Sequence, residues 1–109
     1  MPQNIFKNIP EQLPEELFDT LLKNGHVHIE RIVSKGHATA EDYWYDQDGD
    51  EWVLLLQGQA VIVYESQASV RLASGDYLLI PAHTRHRVAW TADDEDTVWL
   101  AVHFSPENC

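Results

Sequence analysis

The sequence is nearly free of cysteine and poor in basic residues. Its single cysteine, Cys109, is the last residue, which excludes an internal disulfide and a thiolate metal cluster. Seven basic residues stand against 18 acidic ones, and the formal net charge is −11. Such a charge repels phosphate backbones and anionic lipid surfaces. The composition therefore argues against nucleic acid and membrane partners.

A long apolar run is also missing from the start of the chain. The first ten residues mix Gln, Asn and Lys with a few hydrophobic residues, unlike a signal peptide, so we expect a cytoplasmic location. The 109 residues suffice for one domain with its own core. Because 44% of them are hydrophobic, we expect a globular protein and not a disordered chain.

Residues 1–25 are predicted to form an N-terminal arm and a short helix. Two prolines discourage regular structure in the arm. Proline is tolerated in a first helical turn, and acidic residues suit the positive end of the helix dipole, so a helix is predicted to begin at Pro14. Asn24 and Gly25 are predicted to end it. The apolar residues at helical spacing are Leu17, Phe18, Leu21 and Leu22.

From residue 26 onwards the pattern becomes that of β-strands. Short apolar segments are separated by turn residues, which is typical of a sandwich or barrel. We therefore predict a single domain in which residues 26–109 form an all-β barrel. After a first strand that starts at His26, the predicted strands are Glu51–Leu56, Gln59–Glu65, Ser69–Leu72, Tyr77–Ile80, Arg85–Thr91 and Val98–Phe104.

Two glycine-punctuated blocks in the middle of the chain carry the functional signal. In the first, six residues separate Glu51 from Gly58. In the second, five residues separate Gly75 from Pro81, and His86 follows. These residues resemble the two motifs of the cupin family, which read G-x5-H-x-H-x3/4-E-x6-G and G-x5-P-x-G-x2-H-x3-N.

The resemblance covers roughly residues 26–104. It implies a double-stranded β-helix, or jelly roll, which frequently forms homodimers. A cupin metal site usually consists of three histidines and a glutamate, and of these only Glu51 and His86 are kept by position. The histidines of the first motif fall on Trp44 and Asp46 or on Tyr45 and Gln47, while His83 and Trp90 replace the glycine and the asparagine of the second.

The implied metal site consists of Glu51, His86 and either Asp46 or Gln47. Carboxylate, imidazole and amide oxygen all bind first-row divalent metals, and we expect iron, manganese, nickel or zinc. An oxygen-activating iron site would need a second histidine. The candidates for that second histidine are His83, His26, His28 and His103.

Strand parity predicts that Glu51 faces inwards. On an alternating strand it shares its side with Val53 and Leu55, so its carboxylate should point into the barrel. A buried carboxylate is costly unless it is paired or coordinated. His86 meets this need either as a second metal ligand or as a partner without metal. Parity also places Trp90 on the side of His86, as an aromatic wall.

Two functions fit this pattern. In the first, the barrel binds a divalent metal and a small organic ligand and acts as a metal-dependent oxygenase or isomerase, with Tyr45 or His83 as candidate proton donors. In the second, it is a metal-free binding or sensor module in which Glu51 and His86 form only a structural pair. We also predict a homodimer, because open sheet edges and an apolar arm favour association. The apolar residues of the arm are Ile5, Phe6 and Ile9.

Overall fold

The computed structural model describes residues 2–105 of the chain. Cys109, for which no role was expected, lies outside these residues. Within them the chain forms eight β-strands and no helix long and apolar enough to cross a membrane. The strands are β1 (Leu17–Lys23), β2 (Val27–Ser34), β3 (Asp50–Gln57), β4 (Gln59–Tyr64), β5 (Val70–Ala73), β6 (Tyr77–Ile80), β7 (His86–Thr91) and β8 (Thr97–Phe104).

The strands form two antiparallel sheets, which confirms the predicted all-β fold. The larger sheet has the order β1-β2-β8-β3-β6 and the smaller one the order β5-β4-β7. Side chains alternate along each strand: on β3, Val53 and Leu55 are buried, whereas Trp52 and Leu54 are half-buried on the other face. The buried side chains of both sheets meet in one apolar core, which includes Leu55, Ile62, Leu72, Ile80 and Trp99.

Gly58 makes the tight connection between β3 and β4. Its φ is +96°, a conformation that residues with a Cβ rarely adopt. A Cβ at this position would also clash with the backbone and side chain of Thr97 on β8. The glycine that ends the first motif is therefore required by the close approach of two strands.

The predicted N-terminal helix is wrong, because the segment forms the edge strand β1. This strand pairs with β2, and Leu17 and Phe18 lie opposite Val33 and Ile32. The register shifts at a bulge between Thr20 and Leu22. A bulge interrupts the two-residue alternation, so that the apolar residues on either side of it fall at spacings that resemble those of a helix.

The N-terminal arm is held against the body of its own chain by Arg31. This buried guanidinium forms an ion pair with Asp19 on β1. It also donates hydrogen bonds to the carbonyl oxygens of Ile5, at 3.1 Å, and Lys7, at 2.6 Å. The arm therefore packs on the outer side of β2, the strand that carries Arg31.

Candidate functional site

A cavity of about 140 Å³ lies between the inner faces of the two sheets. Its wall is largely apolar, with side chains from β2, β3, β4, β6, β7 and β8. The ionisable and phenolic side chains that line it are Glu16, Glu30, Tyr45, Glu51, His86 and His103. An apolar cavity with a few convergent polar groups is the usual form of a small-molecule site.

Glu51 lies in this cavity, as strand parity predicted, and is only 7% exposed. The position opposite it on β8 is His103, and the position opposite His103 on β2 is His28. Three ionisable residues therefore follow one another across the inner face of the larger sheet. Directly opposed residues in an antiparallel pair have Cβ atoms about 4.5–5.5 Å apart, so the register alone brings these side chains together.

His86 approaches the same carboxylate from the smaller sheet. Its Nε2 lies 3.7 Å from Oε1 of Glu51, and the ring is only 5% exposed. Its Nδ1 lies 2.8 Å from the carbonyl oxygen of Thr84. A carbonyl can only accept, so Nδ1 carries a proton. Protonation of Nε2 as well would turn the contact with Glu51 into an ion pair.

His103 connects Glu51 to a second carboxylate. Its Nε2 lies 2.8 Å from Oε1 of Glu30 and 3.9 Å from Oε2 of Glu51. The carboxylate of Glu30 accepts, so Nε2 of His103 carries the proton in this hydrogen bond. The result is a continuous row of groups in the order His86, Glu51, His103 and Glu30. We refer to these four residues as the His-Glu row.

The pKa values of both histidines of the row are raised. Burial lowers the pKa of His86, but the adjacent Glu51 carboxylate and the Thr84 carbonyl outweigh it, so that the pKa lies above its ordinary value. The hydrogen bond to Glu30 raises the pKa of His103, burial opposes this, and the charges of Glu51 and Glu30 add to the rise. Each imidazole is therefore a stronger base than a free histidine.

Tyr45 closes the cavity beside His86. The two residues form an isolated β-bridge, and their rings stack with centroids 5.7 Å apart. Burial raises the pKa of Tyr45, and the nearby charge of Glu16 raises it further. The phenol consequently keeps its proton and can donate a hydrogen bond into the cavity that it lines.

The remaining predicted site residues separate into two groups. Gln47 lines the cavity together with Glu51 and His86. Asp46 does not line it, but lies 2.9 Å from Nδ1 of His83 in a solvent-exposed pair. His83 is 64% exposed and has a φ of +60°, which explains why the second cupin motif has glycine at this position. The structure thus places Asp46 and His83 outside the cavity.

The predicted aromatic wall at Trp90 is wrong. The register of β7 against β4 is irregular here and leaves Ala89 without a partner between Val88 and Trp90. This extra residue reverses the alternation. Trp90 is 41% exposed, and the guanidinium of Arg71 lies 5.1 Å from the centre of its ring. Aromatic side chains reach the cavity from other positions, namely Phe18, Tyr45 and Trp99.

The first-row metal predicted at Glu51 and His86 stays a prediction. Among residues 2–105, no three His, Cys, Asp or Glu side chains are grouped to hold a metal ion. Glu51 and His86 offer two strong donors, one fewer than the three protein ligands of typical catalytic zinc sites. His103 and Glu30 would complete a set, but they are bonded to each other at 2.8 Å. No metal-dependent step follows from this geometry.

Comparisons with known proteins agree with the fold. The family model described as the cupin domain matches residues 30–103. A crystal structure from Ralstonia eutropha JMP134, described as a "putative mannose-6-phosphate isomerase", is 45% identical with a TM-score of 0.93. The match covers 97% of this chain and 99% of that one.

More distant structures share the fold. A cupin superfamily protein from Desulfitobacterium hafniense is 24% identical, with a TM-score of 0.73 over 90% of this chain and 84% of that one. A Streptococcus pyogenes protein of unknown function is 23% identical, with a TM-score of 0.76 over 99% and 90%. No curated protein sequence matches significantly.

Proposed function

Since this chain belongs to the cupin domain family, we propose that it binds a small organic molecule in the cavity between its sheets, beside the His-Glu row. The observation that supports this most strongly is the convergence of Glu51, His86 and His103 on one largely apolar cavity. Burial of ionisable groups lowers the stability of the folded state, so folding by itself does not favour them. Their concentration around a cavity that a ligand can enter is typical of a functional site.

The size of the cavity limits the ligand. At about 140 Å³ it is smaller than the roughly 300–1,000 Å³ of pockets that bind drug-sized molecules. Apolar walls favour a ligand with carbon surface, and Tyr45, Gln47 and the His-Glu row offer hydrogen bonds. The proposed ligand is therefore a compact molecule with both apolar and polar parts.

A proton-transfer reaction on that ligand is the second candidate function. His86 and His103 have raised pKa values, and each lies next to a carboxylate that can accept a proton. A paired acid and base on one ligand can move a proton between neighbouring atoms, which is the chemistry of an isomerase. Tyr45 supplies a further proton donor, whereas His83 lies too far outside to serve as one.

The binding proposal can be tested by filling the cavity. Val88 lines it from β7, so Val88→Phe should occupy ligand space at a cost of about 1–3 kcal/mol in stability. In a ligand-observed NMR screen of small fragments, fragments that bind the wild type should lose binding to the folded Val88→Phe variant. The control His83→Ala, outside the cavity, should keep it. Fragments that bind all three proteins equally would refute the proposal.

We also propose a homodimer that uses the outer face of the larger sheet instead of the N-terminal arm. One cross-strand row on this face is apolar on all five strands, and the next adds Leu100, Leu54 and Tyr77. Tyr77 is 67% exposed. The members of the first row, from β1 to β6, are Leu22, Ile29, Val102, Trp52 and Leu79.

The dimensions of this face suit a second copy of the chain. Three strands of eight residues, one of seven and one of four, at about 3.3 Å per residue and about 4.8 Å apart, give roughly 550 Å². The arm covers part of β2, so the free area is somewhat below the about 800 Å² per partner of a standard interface. The arm is the weaker candidate, because its carbonyl oxygens are bonded to Arg31 of the same chain.

A further inference from the structure

The cavity carries more acidic than basic side chains. Three glutamates line it, namely Glu16, Glu30 and Glu51, and among residues 2–105 no lysine or arginine lines it. Within the same part of the chain, the lining groups that can carry a positive charge are His86 and His103. Even with both imidazoles protonated, one negative charge remains, and with both neutral there are three. An anionic ligand would meet net repulsion in either state.

The cavity walls also present aromatic surface. Phe18, Tyr45 and Trp99 line it. The faces of aromatic rings attract cations, and the attraction is stronger where water is displaced. Carboxylates together with aromatic rings are the chemistry by which proteins recognise organic ammonium groups.

We propose that the cavity selects small organic cations of the ammonium type and rejects phosphorylated sugars. This inference rests on the proposed ligand-binding function and specifies the class of ligand. It also separates this chain from the substrate named for the Ralstonia eutropha protein. A phosphate dianion needs cationic side chains or a helix N-terminus, and neither is present among the described residues that line the cavity.

The test compares ligands that differ in charge and little else. Choline and 3,3-dimethyl-1-butanol have the same shape and the same hydroxyl, but only choline carries a positive charge. Calorimetric titration of metal-free protein, prepared by chelation and dialysis, should give at least roughly tenfold tighter binding for choline. Mannose 6-phosphate should not bind at the same concentrations.

A charge variant and a matched control locate the effect. Glu16 is half-buried at the cavity, so Glu16→Gln should weaken choline binding several-fold and leave the neutral alcohol unchanged. Glu65→Gln makes the same change at a residue that pairs with Arg85 outside the cavity, and should alter neither ligand. Added salt should weaken choline binding more than binding of the alcohol.

The outcomes separate this inference from the binding function. Equal binding of choline and its neutral counterpart, or tighter binding of mannose 6-phosphate, would overturn the preference for cations while the ligand-binding function stands. Loss of choline binding in Glu65→Gln to the same degree as in Glu16→Gln would place the effect outside the cavity and overturn the inference as well. If none of the three ligands binds, the preference for ammonium compounds is overturned, while the fragment screen with Val88→Phe decides the ligand-binding function separately.

Discussion

Removal of His86 should lower the free energy of unfolding of the protein, because the buried Glu51 carboxylate would lose its nearest positively charged partner. In His86→Ala, the carboxylate stays buried and loses a group that lies 3.7 Å away. At an effective dielectric constant of about 20, two unit charges at this distance interact by about 4.5 kcal/mol. Breaking a buried pair by removing one partner typically costs about 3–5 kcal/mol.

The second neighbour of Glu51 reduces this loss. His103 Nε2 lies 3.9 Å from the other carboxylate oxygen and remains in the variant. We therefore expect a loss of about 3 kcal/mol, at the lower end of the range. In a domain with about 5–15 kcal/mol of total stability, this is a large effect, and it corresponds to a fall in melting temperature of roughly 12–20 °C.

The assay is urea denaturation at pH 6 in the presence of a chelator. The slope of the unfolding free energy against urea concentration should be the same in the wild type and the variants, which checks for two-state behaviour. The double variant His86→Ala with Glu51→Gln removes the stranded charge and should recover at least half of the loss. His83→Ala, at an exposed histidine, should change stability by less than about 0.5 kcal/mol.

Either of two results would refute this reasoning. A loss below about 1 kcal/mol in His86→Ala would mean that the pair contributes little to stability. A double variant as unstable as the single one would mean that the lost packing of the imidazole, and not the stranded carboxylate, causes the effect.

Most of the strands could be predicted from local sequence. Tyr77–Ile80 is confirmed residue for residue, and the strand predicted at Gln59–Glu65 ends one residue early, at Tyr64. These segments are short, apolar and bounded by turn residues, so their period and their ends are both visible in the sequence. The prediction of a helix in place of β1 also has a local cause, because the bulge at Thr20–Leu22 replaces the regular two-residue period by a helix-like one.

The candidate site could be predicted only in part, because its composition depends on long-range pairing. Strand parity was enough to turn Glu51 inwards. The positions of His103 and Glu30 required more: β8 had to be placed between β2 and β3, with a register that sets His103 opposite Glu51. Neither the order of the strands in the sheet nor their register can be read from a single sequence.

The loop before β3 posed a different problem. Asp46 and Gln47 are neighbours with similar donor atoms, and the prediction left open which of the two is the third metal ligand. Only the path of the loop decides between them, since the backbone carbonyl of Gln47 accepts from the N–H of His83 while Asp46 turns outwards to the ring of His83. Loop conformation of this kind follows from tertiary contacts and not from residue type.

Three further predictions concern pH, metal content and assembly. The folded pKa values of His86 and His103 are raised, so the stability they supply is fully present below the unfolded value of about 6.5 and is lost as pH rises through the folded values. Unfolding free energy should therefore fall as pH rises from about 6.5, by urea denaturation, and a flat profile would contradict the raised values. Elemental analysis of untagged protein tests the predicted first-row metal: about one iron, manganese, nickel or zinc per chain would support Glu51 and His86 as ligands, whereas metal content near zero would refute the prediction. Light scattering should give twice the 12.5 kDa chain mass for the wild type. Leu79→Glu should yield monomers, because a carboxylate at this half-exposed position of the larger sheet would be buried without a partner in the dimer. Trp90→Glu on the smaller sheet should remain dimeric, and a dimer that survives Leu79→Glu would exclude this face as the interface.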